Sequence, residues 1–150
     1  MTHESVEGAG QALFSFVRYW SRRWSGSSNT ERAVRGRDVL AVETAHALAG
    51  RDEATVNDVA AELGLDQSNA SRLLTHAADA GYLIVKRSTS DQRRRTVKLT
   101  ASGRQLLAAA HEWQDDAFAT LTADWTPDER ANFARAMQRL IASSAAFDAD

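Results

Sequence analysis

The pattern of apolar positions predicts six helices and one β-hairpin. Between the fourth and fifth helices the apolar period changes from 3.6 to 2, which is typical of strands. The two strands fall at residues 82–87 and 96–99, on either side of a polar loop at residues 88–92. The helices are predicted at about residues 8–25, 36–49, 56–63, 66–81, 101–122 and 127–145. The fold class is therefore mainly α with a small β-hairpin. Residues 1–7 are predicted to be frayed and residues 25–30 to form a loop.

The fourth helix has a predicted start, a predicted end and two different faces. Asp66 is a suitable N-cap and Gly81 a suitable left-handed C′ residue. An apolar stripe contains Ala70, Leu73, Leu74 and Ala77. The opposite face is polar and nearly free of acids, and it carries Gln67, Ser68, Asn69, Ser71, Arg72, Thr75 and His76.

The surrounding elements decide how this polar face is interpreted. Thr55 caps the short helix before it, and Gly64 forms a tight turn between the two, which indicates a helix-turn-helix. A projecting hairpin after a helix-turn-helix makes a winged helix. On an arbitrary helix such a face would more often be merely solvated. In this position we favour contact with base edges and phosphates.

Charge is distributed unevenly along the chain. The net charge is −2, yet residues 55–100 carry seven basic and five acidic side chains, and residues 86–98 carry six basic side chains against Asp91 alone. This local excess is what a nucleic acid would meet.

The composition excludes several classes of function. The chain has 150 residues, no cysteine, no apolar run long enough for a membrane helix and no signal-peptide pattern, so we expect a cytoplasmic protein. Four scattered histidines give no credible zinc site. No nucleophile motif, Gly-rich phosphate loop or close carboxylate pair is present. We therefore expect no enzyme activity, no cofactor and no metal.

The chain resembles the MarR family of winged helix-turn-helix transcriptional regulators. Residues 59–73, VAAELGLDQSNASRL, resemble the family's helix-turn-helix, and residues 80–83, AGYL, its entry to the wing. Residues 91–93, DQR, followed by residues 97–103, VKLTASG, resemble its wing signature. Gln92 stands where many members have a second arginine. The resemblance implies DNA binding, and it places Arg93 in a groove with Asp91 orienting an arginine.

Residue chemistry suggests roles within this surface. Gln and Asn can bond adenine bidentately and Arg can bond guanine, although Arg72 could instead contact a phosphate. Thr55 and Asn57 are candidate backbone contacts at the start of the third helix. Three consecutive arginines are usually just solvated, but on a hairpin tip they can enter a narrow minor groove. Strand alternation would put Arg93 and Arg95 on one face and Arg94 on the other.

The terminal helices have apolar stripes too long for a small winged-helix core to cover. We therefore expect a twofold homodimer on a palindromic site, with a larger self-contained core as the alternative. This organisation gives N-terminal helices at residues 1–50, the winged helix-turn-helix at 51–100 and dimerisation helices at 101–150, within one compact unit.

The resemblance also implies a pocket for a phenolic or other aromatic effector. Its candidate residues are Phe16, Trp20, Trp24, His46, His111 and Trp113. For each of them taken singly, ordinary core is the slightly favoured interpretation. The predicted function is a ligand-responsive repressor of transcription. The alternatives are a winged helix for protein interaction and a constitutive DNA-binding protein.

Overall fold

A computed structural model describes residues 7–24, 31–51 and 53–147, with side chains at 7–21, 35–51 and 53–147. The loop predicted at residues 25–30, most of the terminus predicted at 1–7 and the side chain of Trp24 lie outside these ranges. The elements are α1 Ala9–Trp24, α2 Glu31–Ala47, α3 Val56–Leu63, α4 Gln67–Asp79, β1 Leu83–Arg87, β2 Arg95–Leu99, α5 Ala101–Leu121 and α6 Pro127–Phe147.

The predicted fold class, helices with one small hairpin in a winged-helix order, is confirmed. The start of α2 differs from the pattern, because the helix begins at Glu31 rather than near residue 36. The apolar pattern places the boundary at Gly36, but a glycine inside a helix costs only about 1 kcal/mol and does not end it.

The chain separates into two compact units, Met1–Ala110 and His111–Asp150, whereas the sequence pattern places its boundaries at residues 50 and 100. The core of the first unit is formed by α2, α3, α4, the hairpin and the first half of α5. Its largest fully buried side chains are Val42, Val59 and Leu74. These residues carry the apolar faces that the spacing predicts.

Two helix ends in this unit have the same structure, and together they define the helix-turn-helix. At the end of α3, Gly64 has φ 63°, and the N–H groups of Gly64 and Leu65 donate to the carbonyls of Ala61 and Ala60. The end of α4 repeats this pattern at Gly81, whose φ is 88°. This is the Schellman motif, in which glycine avoids the strain of a left-handed conformation.

The N-terminus of α3 is closed by a capping box. The Thr55 hydroxyl accepts from the Asp58 N–H at 3.2 Å, and the Asp58 carboxylate accepts from the Thr55 N–H at 2.9 Å. Partial burial alone would raise the pKa of the Asp58 carboxyl. The hydrogen bonds from Thr55, with the positive charges of Arg51 and Arg94, outweigh burial and bring its pKa below 3.8.

The hairpin is antiparallel, with Leu83 opposite Leu99 and Arg87 opposite Arg95. Thr55 forms a β-bridge with Thr96, and the Val97 N–H donates to the Ala54 carbonyl at 2.8 Å. The part of β2 nearer the hairpin tip is thus attached to the segment that precedes α3.

Gly103 permits a close approach between α5 and the start of the hairpin. A Cβ atom at this position would lie 2.1 Å from the Tyr82 carbonyl oxygen. The same junction is fixed by the Thr100 hydroxyl, which donates to the Gly81 carbonyl at 2.6 Å and accepts from the Gly103 N–H at 3.0 Å.

The second unit contains the end of α5 and all of α6. Thr126 and Glu129 form the predicted capping box, with the Thr126 N–H donating to Glu129 at 2.8 Å. The Arg130 guanidinium donates twice to the Thr122 carbonyl, at 2.9 and 2.7 Å. Phe133 contacts the rings of Phe118 and Trp125. Over the described part of the chain, no helix is long and apolar enough to cross a membrane.

We expect Gly103→Ala to destabilise the protein by at least about 2 kcal/mol, because the new methyl group collides with backbone rather than with a movable side chain. Urea denaturation measures this loss. Gly50→Ala is the matched control, since a Cβ there meets nothing within 4 Å. Equal stability of the two variants would contradict the close approach.

Asp58→Asn should lower the free energy of unfolding by about 1 kcal/mol at neutral pH. Because the folded-state pKa of Asp58 is lowered, its stabilisation is present above the unfolded pKa and is lost as pH falls through the folded pKa. The difference from wild type should therefore shrink below about pH 4 in a urea series. Asp79→Asn, outside the capping box, is the control. A difference that does not change with pH would contradict this role.

Candidate nucleic-acid interface

The polar face of α4 is exposed, while its apolar stripe is buried. Ala70, Leu74 and Ala77 are at most 1% exposed. On the other side, Ser71 is half-buried and the remaining predicted contact residues are exposed, namely Gln67, Ser68, Asn69, Arg72, Thr75 and His76. The sequence pattern thus assigned the two faces correctly. Whether these side chains contact DNA stays a prediction.

Asn69 differs from its neighbours because its side chain takes part in the cap of α4. Asp66 accepts from the Asn69 backbone N–H at 2.8 Å and from its side-chain amide at 2.7 Å. A bidentate contact with adenine needs the amide and carbonyl to face the base together. Asn69 must therefore turn away from Asp66 before it can read a base in that way.

The arginines at the hairpin tip do not follow strand alternation. Only Arg95 belongs to a strand, while Arg93 and Arg94 lie in the turn that precedes β2, so the alternation expected for the three residues is wrong. The turn is shaped by Asp91, whose carboxylate accepts from the Arg93 backbone N–H at 3.0 Å. All three arginines are exposed, as is Asp91.

Ser88 anchors the tip of the hairpin to the segment before α3. It is 3% exposed, and its hydroxyl lies 2.7 Å from one oxygen of Glu53 and 2.9 Å from the other. The Ser88 hydroxyl oxygen also accepts from the backbone N–H groups of Ser90 and Asp91, each at 3.2 Å. The Ser88 N–H closes the loop by donating to the Arg94 carbonyl at 2.8 Å.

The wing and α4 are joined by a direct side-chain contact. The Arg95 guanidinium donates to the Ser71 hydroxyl at 2.8 Å. At the opposite edge of the same polar face, His76 Nδ1 lies 2.8 Å from an Asp38 carboxylate oxygen on α2. The polar face of α4 is therefore connected both to the hairpin and to α2.

The two candidates at the start of α3 lie in different environments. Asn57 is exposed, whereas Thr55 is 3% exposed and its hydroxyl caps the helix. Burial argues against a direct phosphate contact by the Thr55 side chain. Asn57 is available for such a contact.

The described candidates for effector binding are divided between the two units. In the first unit, Phe16 lies 6.2 Å from Trp20 between ring centroids, both on α1, while His46 is exposed on α2. His111 and Trp113 belong to the second unit and are exposed. An open cleft of about 460 Å³ in that unit is lined by Trp125, Glu129, Asn132, Phe133 and Ala136, none of which was predicted. Among the described side chains, no three His, Asp or Glu residues form a possible metal site.

Sequence reasoning missed Glu53, Ser88 and Asp38 as residues that hold the interface. Their contacts join positions 35 and 38 residues apart. No local period or capping pattern connects positions that far apart, so neither signal could have found them.

Comparison with known proteins supports the resemblance to the MarR family. The sequence model of the MarR family matches residues 36–94, which contain the helix-turn-helix and the hairpin tip. The match covers 59 of the 150 residues, and this segment is therefore similar to the MarR family. The predicted resemblance is thus confirmed. Comparison with curated protein sequences gives no match.

Solved structures extend the likeness in fold to nearly the whole chain. A MarR crystal structure has TM-score 0.69 and 17% identity, covering 91% of this chain and 98% of its own. The MepR–DNA complex from S. aureus has TM-score 0.59 and 20% identity, covering 89% and 96%. BpsR from Bordetella bronchiseptica, described as regulated in DNA binding by 6-hydroxynicotinic acid, has TM-score 0.59 and 17% identity, covering 87% and 98%. At these identities the likeness establishes the fold of the MarR regulators.

Ser88→Ala should loosen the wing loop, because the N–H groups of Ser90 and Asp91 lose their acceptor. A net loss of about 1 kcal/mol per hydrogen bond would speed amide exchange at these two positions roughly fivefold. Hydrogen exchange followed by NMR measures it, with Thr89→Ala as the control in the same loop. Unchanged protection of both amides would show that Ser88 does not anchor the loop.

Proposed function

We propose that this chain is a sequence-specific DNA-binding transcriptional regulator that acts as a homodimer. The observation that carries the proposal is the exposed polar face of α4, joined through Ser71 and Arg95 to an arginine-bearing hairpin. The MarR-family match over these same elements supports it. A face that is only solvated would not need this contact between α4 and the hairpin.

The two elements would have different roles on DNA. Gln67, Ser68 and Arg72 lie in the first two turns of α4, where recognition helices contact base edges in the major groove. Arg93 and Arg94 project from the hairpin loop and suit the minor groove, where the phosphates concentrate negative potential. Asn57 would add a backbone contact from α3.

A homodimer is supported by apolar side chains that a single chain leaves exposed. On α1, Phe14 and Phe16 are 63% and 56% exposed, and on α6, Ile141 and Phe147 are 70% and 84% exposed. Surfaces of this kind usually mark an interface, and a twofold axis is the commonest solution. Two recognition helices spaced about 34–36 Å apart would then read a palindromic operator.

Repression relieved by a small molecule is the proposed regulation. BpsR, one of the structural neighbours, has its DNA binding regulated by 6-hydroxynicotinic acid, and this compound fits the aromatic effector class inferred from the sequence. An effector would weaken DNA binding only if it bound more tightly to a dimer whose two winged helices are misplaced for DNA than to the DNA-competent dimer. If a panel of aromatic acids shifts neither the melting temperature nor the DNA affinity, the chain is a constitutive binder.

The decisive experiment has two steps. First, the protein selects DNA duplexes from a random library. The affinity for one selected duplex is then measured at a series of salt concentrations. Roughly six phosphate contacts per dimer predict a slope of log K on log salt of about −5. Arg72→Ala should lose about 1–3 kcal/mol of discrimination at one base pair. Arg93→Ala should instead weaken all duplexes similarly and reduce the slope by about 1. Sedimentation should find two chains per duplex.

Arg139→Ala on α6 is the matched control, because it removes the same charge from a helix that is not part of the proposed surface. Salt-independent binding, or equal behaviour of all three variants, would contradict DNA recognition and favour a protein-interaction role. One chain per duplex would contradict the dimer but leave DNA recognition intact.

A further inference from the structure

The contact between Asp38 and His76 brings a buried carboxylate to the DNA-facing side of the molecule. Asp38 is 5% exposed on α2, whereas the His76 side chain is 49% exposed on α4. His76 Nδ1 lies 2.8 Å from Asp38 Oδ1. A carboxylate that is almost removed from water requires a polar partner, and His76 supplies one.

This contact determines which atom of the imidazole faces outward. A carboxylate cannot donate, so the proton of the hydrogen bond lies on His76 Nδ1. The hydrogen bond at one ring nitrogen fixes the tautomer and orientation of the ring, and thereby the chemistry of the other nitrogen. Within the described part of the chain, the hydrogen bond of this ring is made through Nδ1, and Nε2 is left for an outside partner.

The position of His76 along α4 indicates what Nε2 would meet. His76 lies nine residues after Gln67, which places it about 13 Å further along the helix axis. The major groove is about 12 Å wide, and recognition helices contact bases through their N-terminal residues. A side chain this far along a helix inserted by its N-terminus reaches the groove wall, where the phosphates lie.

We infer that Asp38 is a positioning residue that orients His76 to donate from Nε2 to a DNA phosphate. With Nδ1–H bound to the carboxylate, a proton on Nε2 makes the ring a cation and a donor to a phosphate oxygen. The buried carboxylate balances that charge and holds the ring in place. The inference rests on the proposed DNA binding and assigns one contact within it.

Electrostatics alone and positioning predict opposite effects of removing Asp38. Loss of an acid near DNA should strengthen binding through the overall field. Loss of the residue that orients His76 should weaken binding. The sign of the change therefore separates the two explanations.

The test is a double-mutant cycle on DNA affinity with Asp38→Ala and His76→Ala, at one fixed pH and salt concentration. We expect each single variant to bind a selected duplex about tenfold more weakly, as for one charge-assisted contact. His76→Ala should weaken matched and mismatched duplexes alike. The double variant should bind no more weakly than His76→Ala alone.

Asp38→Asn keeps the size of the side chain and one acceptor oxygen, so it should recover part of the affinity lost in Asp38→Ala. It also serves if Asp38→Ala fails to fold. If Asp38→Ala lowers affinity equally in the wild-type and His76→Ala backgrounds, or strengthens binding, the positioning role is overturned. Normal affinity of His76→Ala overturns it as well.

NMR of the unbound wild-type protein gives a readout that does not depend on DNA. Long-range proton–nitrogen correlations should find His76 Nδ1 protonated, and Asp38→Ala should abolish that preference. An unprotonated Nδ1 in the wild type would overturn this inference but would leave the proposed function intact. Failure of the wild-type chain to bind any selected duplex overturns the proposed function and the inference together.

Discussion

The small apolar face of α4 is the constraint on which the reading surface depends. Ala70 and Ala77 are fully buried and Leu74 is 1% exposed, so α4 packs against α2 and α3 through two alanines and one leucine. Each residue of a helix is rotated by a fixed angle from the last, so burying one stripe determines where every other side chain points. The polar residues face solvent because these three residues do not.

Three side-chain contacts then attach this face and the hairpin loop to the rest of the first unit. Arg95 reaches Ser71 across 24 residues of sequence, Ser88 reaches Glu53 across 35, and His76 reaches Asp38 across 38. Each is worth only about 1 kcal/mol net. Their common effect is to fix the positions of side chains. With the apolar core alone, these side chains would be free to change rotamer.

The sequence predicted the elements well, because their signals are local. Thr55, Gly64, Asp66 and Gly81 begin or end helices through contacts with residues a few positions away. The hairpin tip was predicted less well. Its backbone follows the hydrogen bonds of Asp91 and Ser88 rather than strand alternation. Contacts between distant segments depend on tertiary packing, which no period in the sequence encodes.

The acids near the wing limit how strongly this surface can attract DNA from a distance. Glu53 holds Ser88, Asp91 shapes the turn, and Arg94 contributes to the lowered pKa of Asp58. These carboxylates offset part of the arginine charge, and the whole chain carries a net charge of −2. The long-range field is therefore weak, and most attraction must come from short-range contacts. For the DNA binding proposed above, such a surface would favour a duplex that fits its geometry over DNA in general, which is what selective recognition requires.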